Sequence, residues 1–105
     1  MRRAAVADWQ EPWSAVEGDE RQRLARELQS EVGAGHLLHN GPVIVVGRSL
    51  ANDDILVQLQ QHKHQYAVVH LTWQQNAGPD WPMTTFYCDR DAFVKHRMAI
   101  DNEEY

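Results

Sequence analysis

The histidines have the widest chemical scope in this chain, because an imidazole can move protons or bind metals near neutral pH. There are six of them, and two spacings, His36-x-x-His39 and His62-x-His64, are fragments of metal-binding patterns. A zinc site takes three or four ligands at about 2 Å, and neither pair has a further ligand in a recognised motif. We expect solvated loop histidines, no native metal and no cofactor, with His36 and His39 as the weak candidates for metal binding.

His70 differs from the others because it lies inside the apolar run 66–73. A general base needs a cleft and a proton donor within about 3 Å. Tyr66 and Thr72 share its face of a strand, but neither is a carboxylate that would orient the imidazole. Two interpretations stay open: a structural histidine bonded to a neighbouring strand or loop, and a ligand or catalytic contact.

Cys88 is the single cysteine, so an internal disulfide is excluded and a reducing compartment is favoured. It precedes a predicted helix, where a thiol can become reactive, but no partner histidine is fixed beside it. We expect a buried structural cysteine. Trp81 lies in a loop beside Pro82, and tryptophan is enriched where proteins bind one another.

The charge distribution argues against nucleic acid as a partner. The chain has 10 basic and 15 acidic residues, and residues 36–88 include only Arg48 and Lys63 as cations, whereas phosphate-binding surfaces need clustered cations. No apolar run is long enough for a bilayer span, and the start of the chain lacks the apolar region of a signal peptide. Phosphate-loop and nucleophile-elbow motifs do not occur. We expect a cytoplasmic protein.

Strands in the centre and a helix near each end must position these residues. Asp19 is a suitable cap for an amphipathic helix over 20–32, with Glu31 outside its apolar stripe. Runs rich in β-branched and aromatic residues predict strands over 43–48, 55–60, 66–73 and 84–88. Asp89 caps a last helix that runs to about Ile100 and precedes an acidic tail. We expect one domain over 1–105, with residues 1–18 as a more loosely attached segment. Within it, Asp8 fits the N-cap of a short helix.

A hairpin centred on Lys63 separates the strand residues into two faces. One face is wholly apolar and includes Trp73 as core, whereas the other is mixed. A turn centred on Ala51 adds the strand over 43–48 and places Arg48 on the mixed face. The fold class is therefore α+β, an antiparallel sheet of three to four strands with an N-terminal and a C-terminal helix packed on it. The N-terminal segment, a second copy or a ligand must cover the mixed face.

Three stretches together resemble a group of small uncharacterised bacterial proteins. They are the VHLTW strand at 69–73, the P-x-T-x-F-Y segment at 82–87 and the acidic DNEEY end at 101–105. The resemblance covers roughly residues 36–105. It implies a bacterial source and a cytoplasmic setting, and it brings no catalytic residues.

We expect a small, acidic, non-enzymatic protein-interaction module in a bacterial cytoplasm. Its partner would be a protein, and a homodimer with a second copy of the chain is one form of such an interaction. The expected partner or ligand face consists of Tyr66, His70, Thr72, Gln58 and Trp81. Two alternatives remain: a small-ligand binder or enzyme that uses the His70 face, and a histidine-based metal-binding protein.

Overall fold

A computed structural model of the protein describes residues 8–39, 41–74 and 81–105. The start of the chain that was considered above as a signal peptide, and part of the loop predicted around Trp81, lie outside these residues. The elements in chain order are β1 (Trp13–Ala15), α1 (Gly18–Glu31), β2 (Val43–Ser49), β3 (Asp54–Leu59), β4 (Tyr66–His70), β5 (Met83–Tyr87), α2 (Arg90–Phe93), a π-helical segment (Val94–Met98) and α3 (Ala99–Glu104). The last three follow one another directly, and we call residues 90–104 the C-terminal helix.

The five strands form one antiparallel sheet in chain order, so the predicted α+β class and antiparallel sheet are confirmed. The predicted number of strands, three to four, is wrong because β1 forms where a short helix was expected. Pro12 has no amide hydrogen and a fixed φ, which disfavours a helix through this point. The chain instead runs extended, and Trp13 pairs with Ser49 of β2.

The hairpin of β3 and β4 differs from the predicted register by two residues. Leu56 pairs with Val68, and Gln58 pairs with Tyr66, so the connection is longer than expected. Because side chains alternate with period two, a shift of two leaves every residue on its predicted face. The predicted faces of the β3 and β4 residues are therefore correct, although the predicted connection between these strands is too short.

A β-bulge in β2 changes the face of Arg48. The pairing with β3 shifts between Val45 and Gly47, so Arg48 pairs with Ile55 and lies on the face of α1, where it contacts Glu20 at 2.8 Å. Its predicted place on the mixed face is wrong because one extra residue inverts the alternation. A side chain at Gly47 would collide with the indole of Trp9, which explains a glycine within this strand.

Two apolar clusters lie on opposite faces of the sheet. The first cluster joins Leu24 and Leu28 of α1 to the face predicted to be apolar. The second cluster covers the face predicted to be mixed, and its buried members are Trp13, Leu56, Tyr66, Val68, Phe93 and Met98. Phe93 and Met98 stand five residues apart, the spacing of a π-helical hydrogen bond, and both side chains are buried against the sheet.

The C-terminal helix extends further than predicted. Residues 101–104 continue the helix instead of forming a tail after it, and Ile100 is 45% exposed. Within the described residues, no helix has the length and apolar character that a bilayer span requires.

Candidate functional site

The residues predicted to form a partner face are not gathered at one surface. Gln58 and Tyr66 pair across β3 and β4, and with Trp9 and Arg21 they line part of a cavity of about 210 Å³. Tyr66 is almost fully buried in the second cluster. His70 lies at the other end of β4 and does not line this cavity.

His70 is oriented by a carboxylate that the sequence did not reveal. Its Nδ1 lies 2.7 Å from Oδ1 of Asp54, the residue opposite it in the β3–β4 ladder. A carboxylate only accepts hydrogen bonds, so Nδ1 carries the proton and Nε2 holds the lone pair of the neutral ring. About half of the His70 side chain is exposed, whereas that of Asp54 is buried. This arrangement can accept a proton or a hydrogen bond at Nε2.

Asp54 also connects the sheet to the C-terminal helix. Its Oδ2 accepts from Nη2 of Arg97 at 2.5 Å. Arg97 donates through Nε to Asp101 at 3.2 Å, and Asp101 accepts from the indole N–H of Trp13 at 2.8 Å. Burial opposes the charge of Arg97, but hydrogen bonding to Tyr87 and the charge of Asp54 raise its pKa. The chain of contacts ties three segments to one buried carboxylate.

Asp54 lies just before the predicted strand 55–60, whereas the structure begins β3 at this residue. Asn52 accepts its backbone N–H at 2.8 Å. The shift of two residues in the hairpin then places it opposite His70. The correct register alone would have placed a carboxylate beside this imidazole.

Thr72 and Trp73 are held by Glu31 at the end of α1. Oε1 of Glu31 accepts from the backbone N–H and the hydroxyl of Thr72, and Oε2 accepts from the backbone N–H of Trp73, each at 2.8 Å. Glu31 is 2% exposed, so its predicted place outside the buried stripe is wrong. Trp73 has a φ of 58° and is 46% exposed, so its predicted place in the core is wrong too. Thr72 thus acts as an anchor for the chain leaving β4.

Glu27 shares a proton with Glu31 one helical turn away. The hydrogen bond to Glu31, burial and repulsion between the two carboxyl groups raise the pKa of Glu27 to about 7. Burial by itself raises the pKa of Glu31, but hydrogen bonds from Glu27, Thr72 and Trp73 outweigh it and hold that pKa below 4.5. When it is protonated, Glu27 therefore serves as a fourth donor to the buried carboxylate of Glu31.

The geometry does not favour metal binding by His36. Its Nδ1 accepts from the backbone N–H of Leu38 at 3.0 Å, so Nε2 carries the proton and donates to the carbonyl of Pro82 at 2.8 Å. Both ring nitrogens are used, and the side chain is buried. His39 is exposed. Across the described ranges, no group of three or more His, Cys, Asp or Glu side chains could hold a metal ion.

The second histidine pair contacts β5. His62 stacks on Phe86 with ring centroids 5.1 Å apart, and His64 lies 5.6 Å from His62. Nδ1 of His62 accepts from the backbone of His64, so its Nε2 is protonated and not a free metal ligand. Cys88 is exposed rather than buried as predicted.

The outer strand β5 and the side chains at its start form the remaining candidate surface. Within the described residues, β5 pairs only with β4, and its other edge carries no strand. Trp81 and Met83 at its start are 41% and 59% exposed. Met83 pairs with His70, and Trp73 follows the adjacent end of β4, so exposed apolar residues lie at one end of the β4–β5 pair. We call β5 together with Trp81 the β5 edge.

Comparisons with known proteins add no relative. No family model, curated protein or solved structure matches the chain. The resemblance to small uncharacterised bacterial proteins therefore stays a prediction.

Proposed function

We propose that this chain is a small protein-interaction module that binds a protein partner by strand addition at the β5 edge. One observation carries the proposal: β5 is an outermost strand of five residues with neither charge nor proline, Met-Thr-Thr-Phe-Tyr. Monomeric proteins protect such edges with lysine, proline, bulges or very short strands. The opposite edge strand, β1, has three residues and fits that protected type.

The proposed surface differs from the face expected from the sequence. Trp13, Phe93 and Met98 cover that face, so its apolar centre is occupied by the chain itself. Trp81 stays in the proposed interface, and His70 lies at its border beside Met83. An interaction at an edge needs no uncovered sheet face.

Strand addition supplies both affinity and selectivity. A partner strand would use the backbone N–H and C=O groups of β5 that point away from β4, and its alternate side chains would meet the two faces of the sheet. On the sheet face that the second cluster covers, the exposed Met83 and Thr85 would lie beside the added strand. Trp81 provides the kind of large aromatic side chain that dominates binding energy at interfaces.

Site-specific photo-crosslinking in the producing cell tests the proposal. A photoreactive amino acid replaces Thr85 on β5, and the matched control replaces exposed Gln22 on α1. We expect crosslinked protein products from position 85 and none from position 22. Equal yields from both positions, or no product from position 85, would contradict binding at the β5 edge.

A second candidate function is proton transfer or ligand binding at His70, favoured by the 2.7 Å contact with Asp54. A buried carboxylate that fixes the proton on Nδ1 leaves Nε2 as a base, an arrangement found in many catalytic sites. NMR titration of the His70 ring in the wild type and in Asp54→Asn tests this. A tautomer on Nε2 in the wild type, or identical ring signals in both proteins, would rule the arrangement out.

A further inference from the structure

We infer that the strand added at the β5 edge is β5 of a second copy, which joins two sheets into one of ten strands. The inference rests on the proposed function and names its partner. A twofold axis at Thr85 is the register that pairs all five residues of β5 with those of its copy. Met83 then lies opposite Tyr87, Thr84 opposite Phe86, and Thr85 opposite Thr85 of the copy.

The strand is chemically complementary to itself in this register. Directly opposite residues of an antiparallel pair share a face. Thr84 and Phe86 belong to the face of the first cluster because they pair with Val69 and Ala67. A threonine beside an aromatic ring is a favourable cross-strand pair, and the two central threonines can hydrogen-bond.

The second face gains a sulfur–aromatic contact. Met83 and Tyr87 lie on the face of the second cluster, where Tyr87 packs against the C-terminal helix. In the twofold pair, the exposed Met83 of each copy is placed beside Tyr87 of the other. Thioether–aromatic contacts are favourable, so a methionine that is 59% exposed gains a partner.

Closure favours a second copy, and the net charge of the chain does not act within the paired strands. The chain has a net charge of -5, so two copies repel each other, but no charged side chain lies in the paired strands. Within the paired strands only uncharged groups meet, and repulsion between the rest of the two copies is screened by salt. The outer edges of the joined sheet are both β1, whose three residues limit further addition, so the assembly closes as a dimer.

Sedimentation of the purified, untagged full chain from low micromolar to millimolar concentration tests the inference. We expect the mass to rise from 12.1 kDa to twice that value. Thr85→Lys places two ammonium groups opposite each other and is expected to keep the chain monomeric, whereas Thr85→Gln adds length without charge and is expected to dimerise. Circular dichroism checks that all three proteins fold.

Disulfide trapping tests the register. In Cys88→Ser, an added Thr85→Cys meets its copy at a Cα distance of about 5 Å, within disulfide range. We expect covalent dimers from this variant with oxidised glutathione, and none from Ser14→Cys in β1 of the same background.

Two results would overturn the inference: a mass of 12.1 kDa at every concentration, or a dimer that Thr85→Lys leaves intact. A monomer whose position 85 still crosslinks to a different protein would overturn the second copy as partner and leave the proposed function standing. A monomer that crosslinks to nothing would overturn both.

Discussion

Replacing Glu31 is the sharpest test of how α1 and β4 are joined. The buried carboxylate accepts three hydrogen bonds of 2.8 Å from Thr72 and Trp73. Glu31→Ala removes all three and leaves two backbone N–H groups without their acceptor. It also releases Trp73 from the contact that holds its backbone at a φ of 58°, a conformation that costs free energy for a bulky residue.

The expected loss in the free energy of unfolding follows from the three hydrogen bonds that Glu31→Ala removes. A hydrogen bond to a charged group contributes about 1.5 kcal/mol or more. Three of them give about 4 to 5 kcal/mol, reduced to about 3 kcal/mol because Thr72 and Trp73 are partly exposed and water can replace part of the loss. For a domain of this size, that loss lowers the melting temperature by about 12 °C.

Urea and thermal unfolding, followed by circular dichroism, measure the effect. Gln29→Ala is the matched control, because Gln29 is exposed on the same helix, and it is expected to change stability by less than about 0.5 kcal/mol. Glu31→Gln keeps an acceptor for Thr72 but turns an amide donor toward Trp73, so it should fall between the two. A loss below about 1 kcal/mol for Glu31→Ala would refute the argument that the buried carboxylate anchors β4.

Three further predictions concern other contacts. The pKa of Glu27 is raised from 4.5 to about 7, so the stability that its proton contributes is complete below about pH 4.5 and is lost as the pH rises through about 7. Glu27→Gln keeps a hydrogen-bond donor at every pH. The free energy of unfolding of this variant, relative to that of the wild type, should therefore increase between about pH 5 and about pH 8. Gly47→Ala places a Cβ 2.7 Å from Cζ3 of Trp9 and should cost about 1 to 3 kcal/mol in urea unfolding, whereas Gly41→Ala meets its nearest neighbour at 3.5 Å and should cost less. Asp54→Asn removes the charge that its histidine and arginine partners share and should cost about 2 kcal/mol; an unchanged urea midpoint would contradict the proposed role of this carboxylate.

The strands and their faces could be predicted because alternation is a local property. Val57 and Val69 lie in the first cluster, and Leu56 and Val68 lie in the second, as the apolar pattern indicated. The alternation continued to indicate the correct face despite an error of two residues in the hairpin. It failed at Arg48, because a bulge is set by how the strand fits its neighbours, here by Trp9 packing against Gly47 rather than by local composition.

The polar contacts were missed because they depend on tertiary pairing. Glu31 resembles any acidic residue on a helix, and its burial follows from the path of the chain after β4. Asp54 resembles a turn residue, and its role follows from the hairpin register. The covering of the second face by Phe93 and Met98 depends on a π turn, for which no sequence pattern was available. The proposed binding surface is therefore a sheet edge, whereas the sequence predicted a sheet face. Trp81 is the predicted site residue that belongs to both.

A crosslinking scan along the chain in the producing cell tests the central claim most directly. The photoreactive group is placed in turn at Thr85 on β5, Ser14 on β1, Gln22 on α1 and Lys95 on the C-terminal helix, all at least partly exposed. The account predicts that the yield of crosslinked protein peaks at Thr85. A peak at one of the other three positions, or equal yields at all four, would contradict binding at the β5 edge.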